Sequence, residues 1–497
     1  MIASERHQQD MNQHDRTEQD RPEQVEHQDR TAERLLGALG RVLRSEQIVA
    51  DPAVMSGLAH DDAEWAPWQL PVAVVRVEST ADVQAVVQVA IEHRAPVVPR
   101  GSGTGLSGGA NAITGAIVID LSKMTKIKMI DPVERFAVVQ PGVINDDLRA
   151  ACAEHGLWYP PDPASSPWSS IGGNVATNAG GVCCVKYGVT GDYVLGLEIV
   201  TGRGEVARIG KRTAKGVAGY DLTSLLVGSE GTLGIVTEIT LRLRWQRPAE
   251  HTVVGYFDSI TDAGVAVTKI AEAGLTPSAL ELVDRQCLEA VDAWKNMGLS
   301  ADADVILLAR CDAPDDAGAV EAAGVAAAFD AGGATWSAAT DDQEEGDALF
   351  AARRLAYPAL ERLGPVLTED ICLPLRQVPA MLARIQQIAV DHETTIANIA
   401  HVGDGNLHPL LITPIGDEPA RVRAQAAFAD IIAGCLELGG TVTGEHGVGV
   451  LKLNGLASEL SPVVQRMQAD VKAALDPYRI LNPGKAIAPV DNPEGDT

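Results

Sequence analysis

A glycine-rich stretch at residues 99–109 constrains the fold of this chain more than any other feature. Its spacing Gly103-x-Gly105-x-x-Gly108 matches the dinucleotide-binding fingerprint. That fingerprint requires a helix directly after the loop, but the next apolar run starts at Ala116 and the intervening glycines leave no room for a helix. We therefore do not expect a Rossmann unit. The loop could hold a pyrophosphate on its backbone amides, although a structural glycine turn explains this stretch alone equally well.

Two more glycine-rich stretches favour the phosphate-binding interpretation. Residues 160–192 are rich in Gly, Asn, Ser and Pro, and residues 228–234 precede an apolar run that continues to Leu243. Long irregular stretches inside a compact domain are usually functional. The repeated pattern therefore indicates a nucleotide site that several loops build together.

Apolar runs between these loops predict mixed α and β structure. An amphipathic pattern begins near Thr31, Thr80 is placed to cap a helix that runs to about His93, and further helices are expected at 145–155 and 461–480. The alternation of strands and helices predicts α+β or α/β layering. The predicted strands cover 72–77, 96–99, 116–121 and 137–140, and a hairpin covers 194–200 and 206–209.

The length of 497 residues exceeds what one hydrophobic core usually serves, so two or three domains are expected. Composition shifts near Arg247, and residues 250–343 fit βα units of a second domain. The N-terminal residues have almost no apolar side chains and are expected to be disordered. The predicted divisions are a polar tail at 1–33, a first domain at 34–247, a second domain at 248–430, a C-terminal segment at 431–490 and a tail at 491–497.

Charge and cysteine usage limit the partners and the compartment. The net charge of −27 argues against nucleic acid and anionic lipid as partners, but not against a small anionic substrate. Neither a transmembrane segment of about 18 or more apolar residues nor a signal peptide is expected. The seven cysteines show no CxxC spacing, which favours reduced thiols. We therefore expect a cytoplasmic protein.

Four chemically active side chains in the last hundred residues indicate metal chemistry. His401 and His408 flank one glycine-containing turn, and Glu445 and His446 lie in another. Two neutral imidazoles and a carboxylate form an open divalent-metal site, and they leave one imidazole for acid–base work. An isolated histidine is more often structural, but this clustering favours a metal centre. Together with a dinucleotide loop, it suggests a redox enzyme.

From about residue 40 to 489 the chain resembles the FAD-linked oxidases of the vanillyl-alcohol oxidase and p-cresol methylhydroxylase (PCMH) type. The branch that it resembles contains D-lactate dehydrogenase, the glycolate oxidase catalytic subunit and D-2-hydroxyglutarate dehydrogenase. The resemblance implies an α+β fold, with a two-subdomain PCMH-type FAD-binding domain, an α+β substrate (cap) domain and a C-terminal segment that returns to the flavin. The stretches that carry it, in the family's order, are 99–109, 161–181, 219–221, 228–235, 401–408, 444–449 and 481–485.

The resemblance implies FAD as cofactor. We expect it to be bound noncovalently, because no histidine or cysteine lies between residues 99 and 109 to form a bond to the flavin. Ser170 stands where we expect relatives often to carry cysteine, a difference of little consequence. The implied FAD contacts are Pro99, Arg100, Gly101, Ser102, Gly103, Thr104, Gly105, Pro141, Gly142, Pro161, Asp162, Ser165, Gly172, Gly173, Asn174, Thr177, Asn178, Gly181, Glu230, Gly234, Ile235 and Asn482.

The resemblance also implies roles for the C-terminal cluster. His401, His408 and Glu445 would be the ligands of a zinc or manganese ion, between which the donor set does not decide. His446 would be the base that takes the proton of the substrate hydroxyl. Asp404 would support the ligands from behind.

The substrate contacts are implied in the same way. Arg353 would grip the substrate carboxylate in bidentate fashion, with Arg354 as its rival. Tyr357 would line the pocket for the rest of the substrate, and Asn406 would contact the substrate or support the metal ligands. Thr368 stands where hydroxyglutarate-type relatives carry a lysine, which favours a small monocarboxylate.

These implications predict an FAD- and metal-dependent enzyme that oxidises a small (R)-2-hydroxy acid, D-lactate or glycolate, to the 2-oxo acid by hydride transfer to flavin N5. The alternatives are a flavin oxidase acting on another alcohol with dioxygen, D-2-hydroxyglutarate dehydrogenase, and a flavin-carrying subunit without catalysis, against which the intact cluster argues. The electron acceptor stays open between a quinone, a cytochrome, an electron-transfer flavoprotein and an iron–sulfur subunit. Peripheral membrane contact would come through that acceptor. Without a cysteine cluster here, an iron–sulfur centre would lie on another chain.

Overall fold

The computed structural model describes residues 30–299 and 303–488. The predicted tails at 1–29 and 491–497 lie outside these residues. Residues 30–33, which we assigned to the tail, are instead helical, and this helix continues to residue 42. Leu35 and Leu39 of this helix are buried in the core beneath the first sheet, in agreement with the amphipathic pattern that begins near Thr31.

The first sheet of the N-terminal domain has four strands. Ile117–Asp120 pairs in parallel with Ala73–Arg76 and with Val97–Arg100, and Ile48–Val49 adds an antiparallel edge. The chain passes from Val97–Arg100 to Ile117–Asp120 through a loop without a helix. The expectation that this is not a Rossmann unit is therefore confirmed.

The helix Thr80–His93 packs its buried valines into the core of this sheet. Its N-cap is Ser79, whose hydroxyl accepts a hydrogen bond from the backbone N–H of Asp82. The prediction that Thr80 is the cap was wrong by one residue, because Ser79 is the residue that keeps the extended backbone of an N-cap.

A second sheet completes the N-terminal domain. Its antiparallel strands lie in the order Ile127–Asp131, Phe136–Val139, Ile235–Arg242, Val194–Val200 and Val206–Gly210. The last two strands form the predicted hairpin. A separate two-stranded ribbon pairs Leu157–Trp158 with Arg244–Trp245. The stretch at 160–192, which we expected to be irregular, contains the helices Ile171–Thr177 and Cys184–Tyr187.

The cap domain is built on one antiparallel sheet. Its strands lie in the order Trp336–Thr340, His251–Phe257, Val305–Cys311, Ala279–Asp284, Thr395–His401, Asn406–Ile412 and Val366–Thr368, and Ile371–Cys372 also pairs with Asn406–Ile412. The four strands of this sheet that come first along the chain alternate with helices, as the βα pattern predicted. Side chains from both faces of the sheet enter separate hydrophobic cores, so the sheet is covered on both sides.

The C-terminal segment returns to the N-terminal domain. Val97 accepts a hydrogen bond from the Asn482 N–H and donates one to the Ile480 carbonyl, both at 2.7 Å, which places the segment beside the first sheet. The predicted helix at 461–480 is shorter, Pro462–Leu475. The other α-helices are Pro52–Ser56, Asn145–Ala153, Leu222–Leu226, Ile260–Glu272, Arg285–Lys295, Asp316–Ala331, Gln343–Arg354, Ala356–Glu361, Val378–Asp391, Glu418–Glu437 and Leu453–Glu459, and 3-10 turns lie at Ser45–Gln47, Thr190–Tyr193 and Leu375–Gln377.

The α+β class that the resemblance implied, one of the two that the strand and helix pattern left open, is confirmed. All seven cysteines are free thiols, as their spacing indicated. Among the helices in the described part of the chain, none combines the length and the apolar character needed to cross a bilayer.

Candidate functional site

A cleft of about 530 Å³ is lined by both the N-terminal domain and the cap domain. The predicted FAD contacts in its lining are Pro99, Gly101, Ser102, Gly103, Thr104, Gly105, Pro141, Ser165, Gly172, Gly173, Asn174, Thr177, Glu230, Gly234 and Ile235. The predicted FAD contacts outside its lining are Arg100, Gly142, Pro161, Asp162, Asn178, Gly181 and Asn482.

The side chains outside the lining hold the loops from behind. Arg100 Nη1 donates to the His60 carbonyl at 2.7 Å, and Asn178 Oδ1 accepts from the Gly191 N–H at 2.7 Å. Asn482 Nδ2 donates to the carbonyls of Gly109 and Glu230, at 2.9 and 2.7 Å. These side chains therefore fix the backbone of the glycine-rich loops, a role that sequence spacing did not reveal.

Glycines let the loops approach each other closely enough to present backbone to the cleft. A Cβ atom on Gly101 would lie 2.4 Å from Ser170 Oγ, and one on Gly109 would lie 2.8 Å from Glu230 Oε2. Gly103 has a φ of +85°, which residues with a Cβ rarely adopt. A cradle of exposed backbone amides suits a pyrophosphate, so the residues present fit FAD.

Glu230 links this cradle to the C-terminal segment. Its carboxylate accepts hydrogen bonds from the backbone N–H groups of Val448 and Gly449, at 2.8 and 2.9 Å. Burial raises the pKa of Glu230 to about 7, against the opposing effect of these two hydrogen bonds. We predicted a flavin contact for Glu230, and the structure gives its carboxylate the additional task of holding the segment that carries Glu445 and His446.

A hairpin positions the two predicted metal-ligating histidines. His401 ends the strand Thr395–His401, and His408 lies on the paired strand Asn406–Ile412. His408 is paired with Ile399, so both histidines lie on the same face as diagonal neighbours. The glycines form the turn between the two strands, where Gly405 has a φ of +83°.

Three donor atoms converge beside this hairpin. Nε2 of His401 and Nε2 of His408 each lie 3.2 Å from the same atom, Glu445 Oε1. The two rings are nearly perpendicular, with centroids 5.2 Å apart. A Cβ on Gly180 would lie 2.5 Å from Glu445 Oε2, so a glycine is required where the first domain meets this carboxylate. The three donors are of the kind that binds a divalent cation.

Glu281 lies behind His401 and was not predicted. It is completely buried, with Oε1 2.7 Å from His401 Nδ1 and Oε2 2.8 Å from Arg353 Nε. Burial raises the pKa of Glu281, but the charges of His401 and Arg353 outweigh burial and hold it below its usual value. Metal-ligating histidines usually donate their second N–H to such a carboxylate. An acidic residue between the apolar residues Leu280 and Leu282 of the strand Ala279–Asp284 was the available sequence signal.

Asp370 is a second buried carboxylate that we did not predict. Together with His408, Glu445 and His446 it brings four donor atoms within 4.8 Å of one another. The predicted ligand His401 is not in this group. Asp370 Oδ2 already accepts hydrogen bonds from the backbone of 444–446, and Oδ1 accepts one from Asn406 Nδ2.

Asn406 does not line the cleft, contrary to its predicted substrate contact. Its Nδ2 donates to Asp370 Oδ1 at 2.8 Å and to the Ile371 carbonyl at 3.1 Å. Because the side-chain amide nitrogen is engaged behind the cluster, the structure favours the supporting role that we also weighed for this residue.

His446 lines the cleft next to the proposed ligands. Its ring stacks on that of His408 with centroids 4.9 Å apart, and its Nε2 lies 3.8 Å from Glu445 Oε1. Burial lowers the pKa of His446 to about 4, against the opposing charge of Asp370. The imidazole is therefore neutral near pH 7, which is the state that a proton acceptor requires.

The cap helix Gln343–Arg354 brings two arginines to the cleft. Arg353 has a side chain that is 6% exposed, whereas Arg354 is exposed to solvent. Tyr357 and Thr368 also line the cleft, and Thr368 Oγ1 donates to the Tyr357 hydroxyl at 3.3 Å. The arginines, the hydroxyls and the histidine cluster therefore surround one space.

Comparisons with known proteins identify the family of this chain. Residues 71–210 match the family model "FAD binding domain", and residues 247–486 match "FAD linked oxidases, C-terminal domain". The chain is 41% identical over 421 residues to the glycolate oxidase subunit GlcD of Bacillus subtilis, covering 84% of this chain and 89% of that protein. It is 34% identical over 461 residues to D-lactate dehydrogenase of Anaerostipes hadrus, covering 90% and 94%.

A solved structure of similar fold is p-cresol methylhydroxylase with substrate bound, with a TM-score of 0.78 at 18% identity, covering 92% of this chain and 97% of that one. A 4-ethylphenol oxidase from Gulosibacter chungangensis matches with a TM-score of 0.76 at 19% identity, covering 93% and 98%. At these identities the likeness concerns the fold. The family models and the sequence relatives decide the rest: the chain belongs to the FAD-linked oxidases, as an oxidoreductase of the branch that contains glycolate oxidase subunits and D-lactate dehydrogenases.

Proposed function

We propose that this protein oxidises a small (R)-2-hydroxy acid, D-lactate or glycolate, to the 2-oxo acid, with noncovalent FAD and a divalent metal. One observation carries the proposal. The histidine cluster and the buried Arg353 line the same cleft as the glycine-rich loops. A 2-hydroxy acid needs a cation for its carboxylate, a base for its hydroxyl and an acceptor for its hydride, and this cleft brings the corresponding groups together.

Each side chain has a task in this reaction. When bound, FAD would supply the two-electron acceptor, and a divalent metal would be held by His401, His408 and Glu445 and would supply positive charge to the substrate. Arg353 binds the substrate carboxylate through its terminal N–H groups, because its Nε is engaged by Glu281. His446 receives the hydroxyl proton at Nε2, the ring nitrogen on the side of Glu445.

The cleft favours a monocarboxylate. Tyr357 and Thr368 present hydroxyls where a second carboxylate would otherwise need a cation, and Asp62 lines the same cleft. A negative charge there would disfavour a diacid through like-charge repulsion. Arg354 also lines the cleft and is the one observation that favours the second candidate substrate, D-2-hydroxyglutarate.

The electron acceptor belongs to another molecule in this proposal. Relatives of this chain are named as subunits of glycolate oxidase, which supports a partner protein that takes electrons from the reduced flavin. The seven cysteines are scattered free thiols and offer no iron–sulfur ligand set, so such a centre would lie on the partner. Zinc and manganese both suit the proposed ligands.

The deciding experiment is an anaerobic titration of the flavin- and metal-loaded protein with a panel of (R)- and (S)-2-hydroxy acids, including D-lactate, glycolate and D-2-hydroxyglutarate. The readout is bleaching of the visible flavin band. We expect bleaching by one of the small monocarboxylic acids. Bleaching by hydroxyglutarate alone would establish the second candidate, and an oxidised flavin after the whole panel would refute the reaction class. Admitting air afterwards separates a dehydrogenase from an oxidase by the rate at which the flavin band returns.

The adjacent arginines provide a matched pair for the same titration. Arg353→Met should raise the KM for the substrate by about 10-fold or more, because a bidentate charge-assisted contact is lost. Arg354→Met should have a much smaller effect, since Arg354 is exposed to solvent. If Arg354→Met raised the KM more than Arg353→Met, Arg354 would be the residue that binds the substrate carboxylate.

A further inference from the structure

Asp370 lies behind the histidine cluster, and its side chain is completely buried. Its Oδ2 accepts hydrogen bonds from the backbone N–H groups of Gly444, Glu445 and His446, at 3.0, 3.1 and 2.9 Å. The Thr443 hydroxyl donates to the same oxygen at 2.7 Å. One carboxylate oxygen therefore fixes the backbone of the segment that carries both a proposed metal ligand and the proposed base.

The same carboxylate faces two imidazoles. Nδ1 of His408 lies 3.7 Å from Asp370 Oδ1, and Nδ1 of His446 lies 4.0 Å from Asp370 Oδ2. Neither nitrogen has a hydrogen-bond partner within the described part of the chain. Their Nε2 atoms lie on the other side of the rings, at 3.2 and 3.8 Å from Glu445 Oε1. A carboxylate on the Nδ1 side favours the tautomer that carries its proton there, which leaves the Nε2 lone pairs toward the cleft.

The surroundings are built for an ionised carboxylate. Lys452 is 1% exposed, and its Nζ lies 3.4 Å from Asp370 Oδ2 and 3.2 Å from the Asp370 carbonyl. Asn406 Nδ2 donates to Oδ1. A Cβ on Gly444 would lie 2.3 Å from Asn406 Nδ2, so only glycine lets this backbone N–H reach the carboxylate. An amide in place of this carboxylate would have only one oxygen, so it could not accept hydrogen bonds from all of these donors.

We propose that Asp370 is the positioning residue of the reaction, acting through the tautomers of His408 and His446 and through the backbone of 444–446. The inference rests on the proposed function, because it assigns Asp370 a part in the same site. Asp370 touches neither substrate nor flavin in this proposal. It sets which ring nitrogen binds metal and which one accepts the proton.

The test is Asp370→Asn, assayed for flavin content, metal affinity and steady-state kinetics at saturating metal. The amide is the same size but offers an N–H donor where the imidazoles need an acceptor. We expect unchanged flavin content, 10–100-fold weaker binding of Zn²⁺ or Mn²⁺, and a kcat lowered about 10²–10⁴-fold. KM should change little, because Arg353 is untouched. Metal affinity and kcat both within about threefold of wild type would overturn the proposal.

Glu369→Gln is the matched control. Glu369 is the adjacent residue and is also completely buried, but its carboxylate contacts the Asp370 N–H and Lys452 rather than an imidazole. Glu369→Gln should keep kcat and metal affinity close to wild type. Equal losses in both variants would show that Asp370 only stabilises the fold. Should Asp370→Asn fail to fold, Thr443→Val removes the hydroxyl that contacts Asp370 and the Gly447 carbonyl, and it should lower kcat about tenfold with flavin retained. An unchanged kcat would contradict the proposal.

Different results would refute the proposed reaction and the proposed role of Asp370. If the wild-type flavin is reduced by no 2-hydroxy acid, the proposed function is wrong, while the metal-affinity comparison of Asp370→Asn and Glu369→Gln still decides the role of Asp370. If the wild type is active and Asp370→Asn equals it, only the positioning role is wrong.

Discussion

Glu281 couples the proposed metal site to the proposed carboxylate-binding arginine, so replacing it should disturb both at once. One oxygen contacts His401 Nδ1 at 2.7 Å and the other contacts Arg353 Nε at 2.8 Å. In Glu281→Gln the side chain keeps its shape but has one carbonyl oxygen instead of two carboxylate oxygens. It can accept from the histidine or from the arginine, but the other partner then faces an N–H₂ group.

The size of the effect follows from these two contacts. Removing the carboxylate behind a ligating histidine typically costs 10–100-fold in metal affinity, which is about 1.4–2.7 kcal/mol. Leaving one charge of a buried pair without its partner destabilises the fold by about 3–5 kcal/mol. We therefore expect weaker metal binding, a KM for the 2-hydroxy acid raised about tenfold, and a lower free energy of unfolding.

The assay is metal binding by equilibrium dialysis, with urea unfolding and steady-state kinetics on the same samples. Glu250→Gln is the matched control, since Glu250 is a buried carboxylate that joins Arg247 and Arg310 away from the cleft. It should lose a comparable free energy of unfolding but keep wild-type metal affinity and KM. Unchanged metal affinity in Glu281→Gln, or an equal loss in Glu250→Gln, would refute the coupling.

Three further predictions concern other parts of the structure. Gly180→Ala should weaken metal binding at least about tenfold in dialysis and leave flavin content unchanged, because its Cβ would lie 2.5 Å from Glu445 Oε2; Gly40→Ala, with nothing within 4 Å of its Cβ, is the control. Burial raises the pKa of Asp284 from 3.8 to about 6, so the folded state loses stability as pH rises through that range, by about 3 kcal/mol in total. The free energy of unfolding of Asp284→Asn, measured in urea relative to wild type, should therefore rise by about that much between pH 4 and pH 7. A difference that does not change with pH would contradict the raised pKa of Asp284. Asn482→Ala removes the side chain that joins two flavin loops, so FAD should dissociate about tenfold more readily in a fluorescence titration; an unchanged Kd would show that the loops hold without it.

Local sequence predicted the features that depend on neighbouring residues. The absence of a helix after residues 99–109 could be read from the spacing of glycines before Ala116, and the structure confirms it. The hairpin Val194–Val200 and Val206–Gly210 was likewise visible as two apolar runs around a glycine turn. These features are decided within about 20 residues, where backbone preference and hydrophobic period act directly.

The supporting carboxylates could not be predicted in this way. His401 and Glu281 are 120 residues apart, and His446 and Asp370 are 76 apart. The contact of Glu281 with His401 depends on the pairing of Ala279–Asp284 with Thr395–His401, and spacing within one segment carries no information about that choice. For Glu281 the local sign was an acidic residue between the apolar residues Leu280 and Leu282, because a buried carboxylate must find a partner.

Asn406 could not be assigned to one role for a related reason. The resemblance left it open between contact with the substrate and support of the metal ligands, and its amide donates to Asp370 in the structure. An amide offers both donors and an acceptor, so residue type alone does not tell which of several polar neighbours it serves.

The pairing of two cap strands has a consequence for how this enzyme distinguishes substrates. The strand that carries Glu281 lies beside the strand that ends at His401, and Glu281 contacts Arg353 on the helix Gln343–Arg354. The distance between His401, a proposed metal ligand, and Arg353, the proposed carboxylate-binding residue, is therefore set inside the cap domain by the buried carboxylate of Glu281. The flavin loops are held separately, through Asn482 and the other contacts behind them. Substitutions in the cap cleft should therefore alter which acid is oxidised without altering flavin affinity, whereas substitutions behind the glycine-rich loops should do the reverse.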